Sequence, residues 1–183
     1  MSFLAFSPPI YLYRGAKMNR IINISNREKA IKQLKIFKQK RYEGFDIKFE
    51  NVHLKKINET IDNNLFDKND LYIYVSTLFD IMQQSGTSNQ HHKHSLTEED
   101  IIDGLRSISD PYAIICVNYG RYSFVTEILC HFDMPLLFII ELHSGLYSNP
   151  NVKINKIVTI YPKNDIEKYL CHFDKKSIIY RKK

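Results

Sequence analysis

Cross-linking chemistry is scarce in this sequence. Cysteine occurs three times, at Cys116, Cys130 and Cys171, an odd number without close spacing, and this excludes a disulfide framework. A reducing site of action is the expectation that follows. Six glycines supply no glycine-rich phosphate loop, and no serine stands in the elbow pattern of a serine hydrolase. Long apolar runs are missing too. The most apolar stretch, Pro135 to Leu142, is far too short to cross a bilayer and carries Glu141 near its end. Met1 to Arg20 holds Pro8 and Pro9, with no basic stretch before its apolar residues, so it lacks the marks of a signal peptide. Met18 is as plausible a beginning as Met1, which makes residues 1–17 read as a loose tail.

The chain has 183 residues, 44% hydrophobic and 13% aromatic, enough for one domain with its own core and a short extension. A net charge of +6 sets up a moderate positive field that attracts polyanions, nucleic acid among them, although a merely solvated lysine surface gives the same count. Between Asn26 and Tyr42, Ala30, Ile31, Leu34, Ile36 and Phe37 recur among lysines and arginines, predicting a basic amphipathic helix that ends near Gly44. Its cations read more simply as solvated than as RNA contacts. Leu71 to Ser76 alternates as a strand, and Ser76 is placed to cap a helix running to Gln84, with Leu78, Phe79, Ile81 and Met82 on its apolar side and Gly86 as its stop. Thr97-Glu-Glu-Asp100 starts another helix whose buried face is Ile101, Ile102, Leu105 and Ile108, and Asp110-Pro111 stops it.

After Pro111 the period changes to that of strands: Ala113–Val117, Tyr122–Cys130, Met134–His143, Val152–Tyr161 and Ser177–Arg181. The gaps Asn118–Arg121 and His131–Asp133 are hairpin-sized. The expected fold is therefore α+β, N-terminal helices followed by an antiparallel meander, with residues 1–70 as an extension and 71–183 as the main domain. Leu136 to Ile140, apolar at every position, reads as a central strand covered on both faces.

The order of His94-Ser-Leu-Thr-Glu-Glu-Asp-Ile101, a short helix, Asp110-Pro111-Tyr-Ala-Ile-Ile115, a meander, Ile157-Val-Thr-Ile-Tyr-Pro162 and Ile178-Ile-Tyr-Arg181 resembles the phage-associated barnase/EndoU/colicin/RelE-like nucleases, the MuF C-terminal toxin type among them. The resemblance covers roughly Leu71 to Arg181. It implies a metal-independent endoribonuclease toxin acting in bacterial cytoplasm, without cofactor, on RNA, and held in check by an immunity or antitoxin protein. It also implies that His94 is the helix-leading histidine with Lys93 as its basic neighbour. Thr159 and Tyr161 then stand where the family shows serine followed two residues later by tyrosine.

The residues themselves support that face. On a regular pleat Ile154, Val158 and Ile160 point one way, while Lys153, Asn155, Thr159 and Tyr161 point the other together with Ile157. RNA transesterification needs a base for the 2′-hydroxyl, an acid for the 5′-oxygen, and donors or cations around the phosphorane. His94 can do either proton job. Thr159 and Tyr161 would donate to phosphate, Lys93 would supply charge, and Tyr180 is a further candidate from the last strand. His91, His92 and His94 cluster as zinc ligands might, but no fourth ligand follows at a fixed spacing, so no metal site is expected. The repeated Cys130-His-Phe-Asp133 and Cys171-His-Phe-Asp174 would, on a strand, place neighbouring residues on opposite faces, where they cannot share an ion without a turn. Two rival readings stay open: a non-catalytic RNA- or inhibitor-binding module of the same fold, and a small structural phage protein with a basic surface.

Overall fold

The computed structural model describes residues 20–40, 44–61, 65–66, 70–83 and 94–183. Within them the chain runs β1 (Ile21–Asn23), α1 (Arg27–Lys38), β2 (Asp46–Glu50), α2 (Lys55–Ile61), β3 (Leu71–Tyr74), α3 (Val75–Met82), α4 (Glu98–Ser107), β4 (Ala113–Asn118), β5 (Arg121–Leu129), β6 (Pro135–Leu146), β7 (Asn149–Pro162), α5 (Ile166–Leu170) and β8 (Ile178–Arg181). The eight strands form one mixed sheet in the order β1-β2-β3-β7-β6-β5-β4-β8.

The class is α+β, but the expected order is corrected. Helices do not simply precede strands. β1 and β2 pair in parallel, β2 and β3 pair antiparallel, and β3 joins β7 in parallel, so the first half of the chain contributes three of the eight strands. The meander expected after Pro111 is present as β4–β5–β6–β7, antiparallel throughout, with β8 returning to the far side of β4. Nor does residue 70 mark a break in packing: Ile22, Phe49, Ile73 and Phe138 belong to the same buried cluster. β1 and β2 escaped the sequence reading because they are three and five residues long, and a five-residue strand carries barely two periods of alternation.

Local chemistry explains the helices. Asn26 caps α1 by accepting from the Lys29 amide at 3.0 Å. Thr97 and Asp100 form a reciprocal capping box at the start of α4. α3 is the exception: it begins at Val75, its cap position is Tyr74, and no side chain caps it, so Ser76 does not play the expected part. The Val75 amide instead donates to the Phe45 carbonyl. The cations of α1 turn toward α4, where Arg27 grips Asp103 through two bonds and Lys35 and Lys38 lie 3.6 Å from Glu99 and Glu98. Three of the helix's five cations are engaged in this way.

The helices α1 to α4 lie on one face of the sheet, over Phe124, Leu136, Phe138, Ile140, Ile157 and Ile160. Gly104 lets α4 come down onto β6; a Cβ there would stand 2.7 Å from the Phe138 ring. On the opposite face a smaller cluster of Ala113, Ile115, Val125, Leu137 and Leu170 is covered by α5, which the sequence pattern did not announce. Leu137 is thus buried from the side opposite Leu136 and Phe138, as expected for a central strand, whereas Ile139 is half-buried because α5 is too short to reach it.

Candidate active site

The site forms where β3 runs out. β3 pairs with β7 only at Lys156 and Ile157 before the chain leaves as α3. From Val158 onward the outer edge of β7 therefore meets a helix instead of a strand. Thr77, Asp80 and Ile81 of α3 face Val158 and Thr159 across a cavity of about 160 Å³. At ~30 Å³ per water in the liquid, that is room for about five waters or one phosphoryl group with its immediate hydration.

His94 is brought to this edge by the segment entering α4. The Ser95 amide donates to the Gln83 carbonyl at 3.0 Å and the Leu96 amide to the Ile81 carbonyl at 3.2 Å, tying the segment to the end of α3. Leu96 is buried beneath it. Ser95 sits in the left-handed region at φ 55°, which turns the chain between these contacts and the cap residue Thr97. The outcome is a His94 Nε2 that lies 3.5 Å from Thr159 Oγ1 and a His94 ring whose centroid is 5.7 Å from that of Tyr161.

A change of register decides which residues share this face. Ile139 pairs with Thr159 but Ile140 pairs with Ile157, so Val158 is an extra residue in β7. The bulge reverses the parity expected from a regular pleat. Ile160 and Ile157 both enter the core, Val158 is half-buried at the cavity, and Lys156 joins Thr159 on the face opposite the helices. Lys153 and Asn155 are displaced from the shared face, with Asn155 fully buried. Lys156 is not a spare cation, because its Nζ lies 3.6 Å from Asp46 and over the Tyr74 ring.

Of the expected residues, His94, Thr159 and Tyr161 converge. Tyr161 does so differently from its assigned role. Burial, and then a hydroxyl contact with Tyr169, push its phenol well above the ordinary range, and Tyr169 in turn donates to Ser123 Oγ at 3.2 Å. The phenol is neutral and engaged on the α5 side, so Tyr161 supports the His94 ring more than it offers a phosphate donor. Tyr180 is separated from the site. Three strands stand between β8 and β7, roughly 19 Å at ~4.8 Å per strand, and Tyr180 packs against the helix-side core instead of the face that carries Thr159. Lys93, His91 and His92 lie outside the described residues.

Asp80 was missed. It stands in the last turn of α3, where a carboxylate opposes the helix dipole, and that unfavourable placement is a signal legible in the sequence. A second histidine, His131, is held through its Nδ1 at 2.6 Å from Asp100, whose other oxygen accepts the His131 amide at 2.9 Å. Burial raises the Asp100 carboxyl, but bonds from Thr97 and His131 outweigh it and bring it below the usual range. This pair clips the β5–β6 turn to the start of α4. Among the described residues, no three His, Cys, Asp or Glu side chains are grouped to hold a metal ion, and no helix is long and apolar enough to cross a membrane. Comparison with protein-family models, curated proteins and solved structures returned no match.

Proposed function

We propose that this chain is an endoribonuclease toxin, phage- or prophage-associated, that cleaves RNA in bacterial cytoplasm by attack of the 2′-hydroxyl on the adjacent phosphorus. The observation that carries the reading is a carboxylate and two hydroxyls, from Asp80, Thr77 and Thr159, around one small cavity at the edge of β7, with the His94 imidazole 3.5 Å from the Thr159 hydroxyl. Asp80 is the base that removes the 2′-hydroxyl proton. The 2′-oxygen bonds to phosphorus, the bond from phosphorus to the 5′-oxygen breaks, and His94 in its protonated form delivers a proton to that leaving oxygen. Thr159 and Thr77 donate to the non-bridging oxygens, where negative charge grows. The products are a 2′,3′-cyclic phosphate and a 5′-hydroxyl, and all the steps are proton transfers and one displacement. Lys93, adjacent in sequence to His94, adds charge. A small acidic immunity protein suits such a site, since it would compete with RNA for the same cations.

The engagement of the Tyr161 hydroxyl by Tyr169 favours a second reading, a binding module of the same architecture without chemistry. The two separate in one experiment. Purified protein is incubated with total bacterial RNA in EDTA and the fragment ends are identified; cyclic phosphate ends are expected, and intact RNA at high protein concentration would favour the second reading. His94→Ala is expected to lose a hundredfold or more in rate, and Thr159→Ala a comparable or smaller factor, with melting temperature unchanged. His91→Ala serves as the nearby control. Equal losses at His91 and His94, or losses traced to unfolding, would remove the assignment.

A further inference from the structure

Beyond Thr159 the same face of β7 continues toward a second cavity. Thr159, Tyr161 and Lys163 alternate along the strand, and the Lys163 amide extends the ladder by donating to the Pro135 carbonyl at 3.0 Å. At ~3.3 Å per residue, Lys163 lies about 13 Å from Thr159. It lines a pocket of about 530 Å³ together with Lys168, Tyr169 and His172, and with Pro162, Asn164 and Asp165 at its rim. Lys163 Nζ stands 5.4 Å from the centroid of the Tyr169 ring. The His172 Nδ1 lies 2.6 Å from the Lys168 carbonyl and donates to it, which fixes the ring and leaves Nε2 as its outward nitrogen. The pocket's one carboxylate, Asp165, is occupied as the cap of α5, accepting the Lys168 amide at 2.8 Å.

The charge state of this pocket differs from that of the open sheet face. There Lys48 is paired with Glu50 and Asp70, Lys156 with Asp46, and Arg121 with Glu141. No carboxylate among the described residues pairs with Lys163 or Lys168. Tyr169 also links the pocket to Tyr161, two residues from Thr159 on the same strand, through a hydroxyl contact.

We infer that the Lys163–Lys168–His172 pocket is a subsite for a backbone phosphate of a single RNA strand whose scissile phosphate sits at Thr159. The ligand class is a phosphodiester carried on that strand, and this rests on the ribonuclease reading for the identity of the strand. Two ammonium groups on flexible stems suit phosphate as point charges without reading sequence, so the subsite positions the strand and leaves base choice open.

The test is binding of a fluorescent 2′-O-methyl RNA 12-mer, which has no 2′-hydroxyl to attack and stays intact. Affinity is followed by anisotropy against salt for the full chain, for Lys163→Gln with Lys168→Gln, and for a control pair on α1, Lys29→Gln with Lys32→Gln. Losing the one phosphate contact should flatten the log–log salt slope by about 0.7, and with curves converging near 1 M salt that is roughly fivefold weaker binding at 0.1 M. The control pair is expected to bind within about twofold of the parent chain, since counterion release requires contact. An unchanged slope in the pocket variant, or the same flattening in the control, overturns the subsite. So does displacement of the RNA by millimolar inorganic phosphate at matched ionic strength, which would reassign the pocket to a free anion. The measurement is independent of cleavage. A chain that binds with the expected slopes but leaves natural RNA intact keeps the subsite and loses the ribonuclease reading, whereas one that cleaves with unchanged slopes keeps the reading and loses the subsite.

Discussion

Replacing Asp100 with alanine should be among the most damaging single changes to this protein that leave its apolar core intact. Its carboxylate is nearly buried and accepts from the Thr97 amide at 2.8 Å and the His131 amide at 2.9 Å, while His131 Nδ1 lies 2.6 Å away. Losing the capping box costs about 1 kcal/mol. The bond to the β5–β6 turn is charge-assisted and leaves a half-buried amide without its acceptor, about 2 to 3 kcal/mol more. Alanine returns about 0.5 kcal/mol through helix propensity. The sum is a loss of about 3 kcal/mol, or a fall of roughly 6–12 °C in melting temperature for a chain of this size. Thr97→Ala should cost about 1 kcal/mol, because only the cap is lost. The dependence on pH follows from the direction in which Asp100 is shifted. Its native carboxyl is held below the ordinary range, so the native state favours the ionised form. Its contribution is complete above the unfolded value near 4 and disappears as pH falls through the depressed native value. Urea unfolding at pH 7 and at successively lower pH checks both parts: the gap between parent and variant should be widest near neutrality and close in acid. A variant within 1 kcal/mol of the parent at pH 7, or a gap that widens on acidification, would refute the reasoning.

Gly104→Ala should destabilise the chain by about 1–2 kcal/mol in spite of a helix-propensity gain of about 1, because the new methyl meets the Phe138 ring and Leu136; denaturant titration checks it, and a more stable variant would show that α4 can lift off the sheet at little cost. Asp80→Asn keeps the size of the side chain and removes the base, so RNA cleavage should fall on the order of a hundredfold, while melting temperature holds or rises slightly as a charge opposing the helix dipole is lost. Tyr180→Phe should leave the cleavage rate within about twofold of the parent, since three strands separate Tyr180 from Thr159 and it lies on the opposite face; a loss as large as that of His94→Ala would mean that the site has been drawn in the wrong place.

How much of this was legible beforehand depends on how far along the chain each signal extends. α1, α4 and the meander were readable because their signals are local: Asn26 and Thr97 cap their own helices, and β4 to β7 alternate over six or more residues. β1 and β2 were not, because their pairing is decided by partners elsewhere, β2 meeting β3 some 25 residues on. At the site the same division holds. His94 and Thr159 were found by the order of short motifs, which survives any change in register. Asp80, whose one signal is a carboxylate opposing the dipole at the end of α3, and the face taken by Lys156 were not. Whether Lys156 or Lys153 shares a face with Thr159 turns on the single extra residue at Val158, and the cause of that bulge lies outside β7: β3 stops at Tyr74, the edge it leaves is taken by α3, and the strand is free to kink where its pairing ends. The same event brings Asp80 to Thr159. The end of β3 thus both allowed the one-residue irregularity that hid the facing of β7 from a periodic reading and, by opening the edge of that strand to α3, made the cavity in which the site could work.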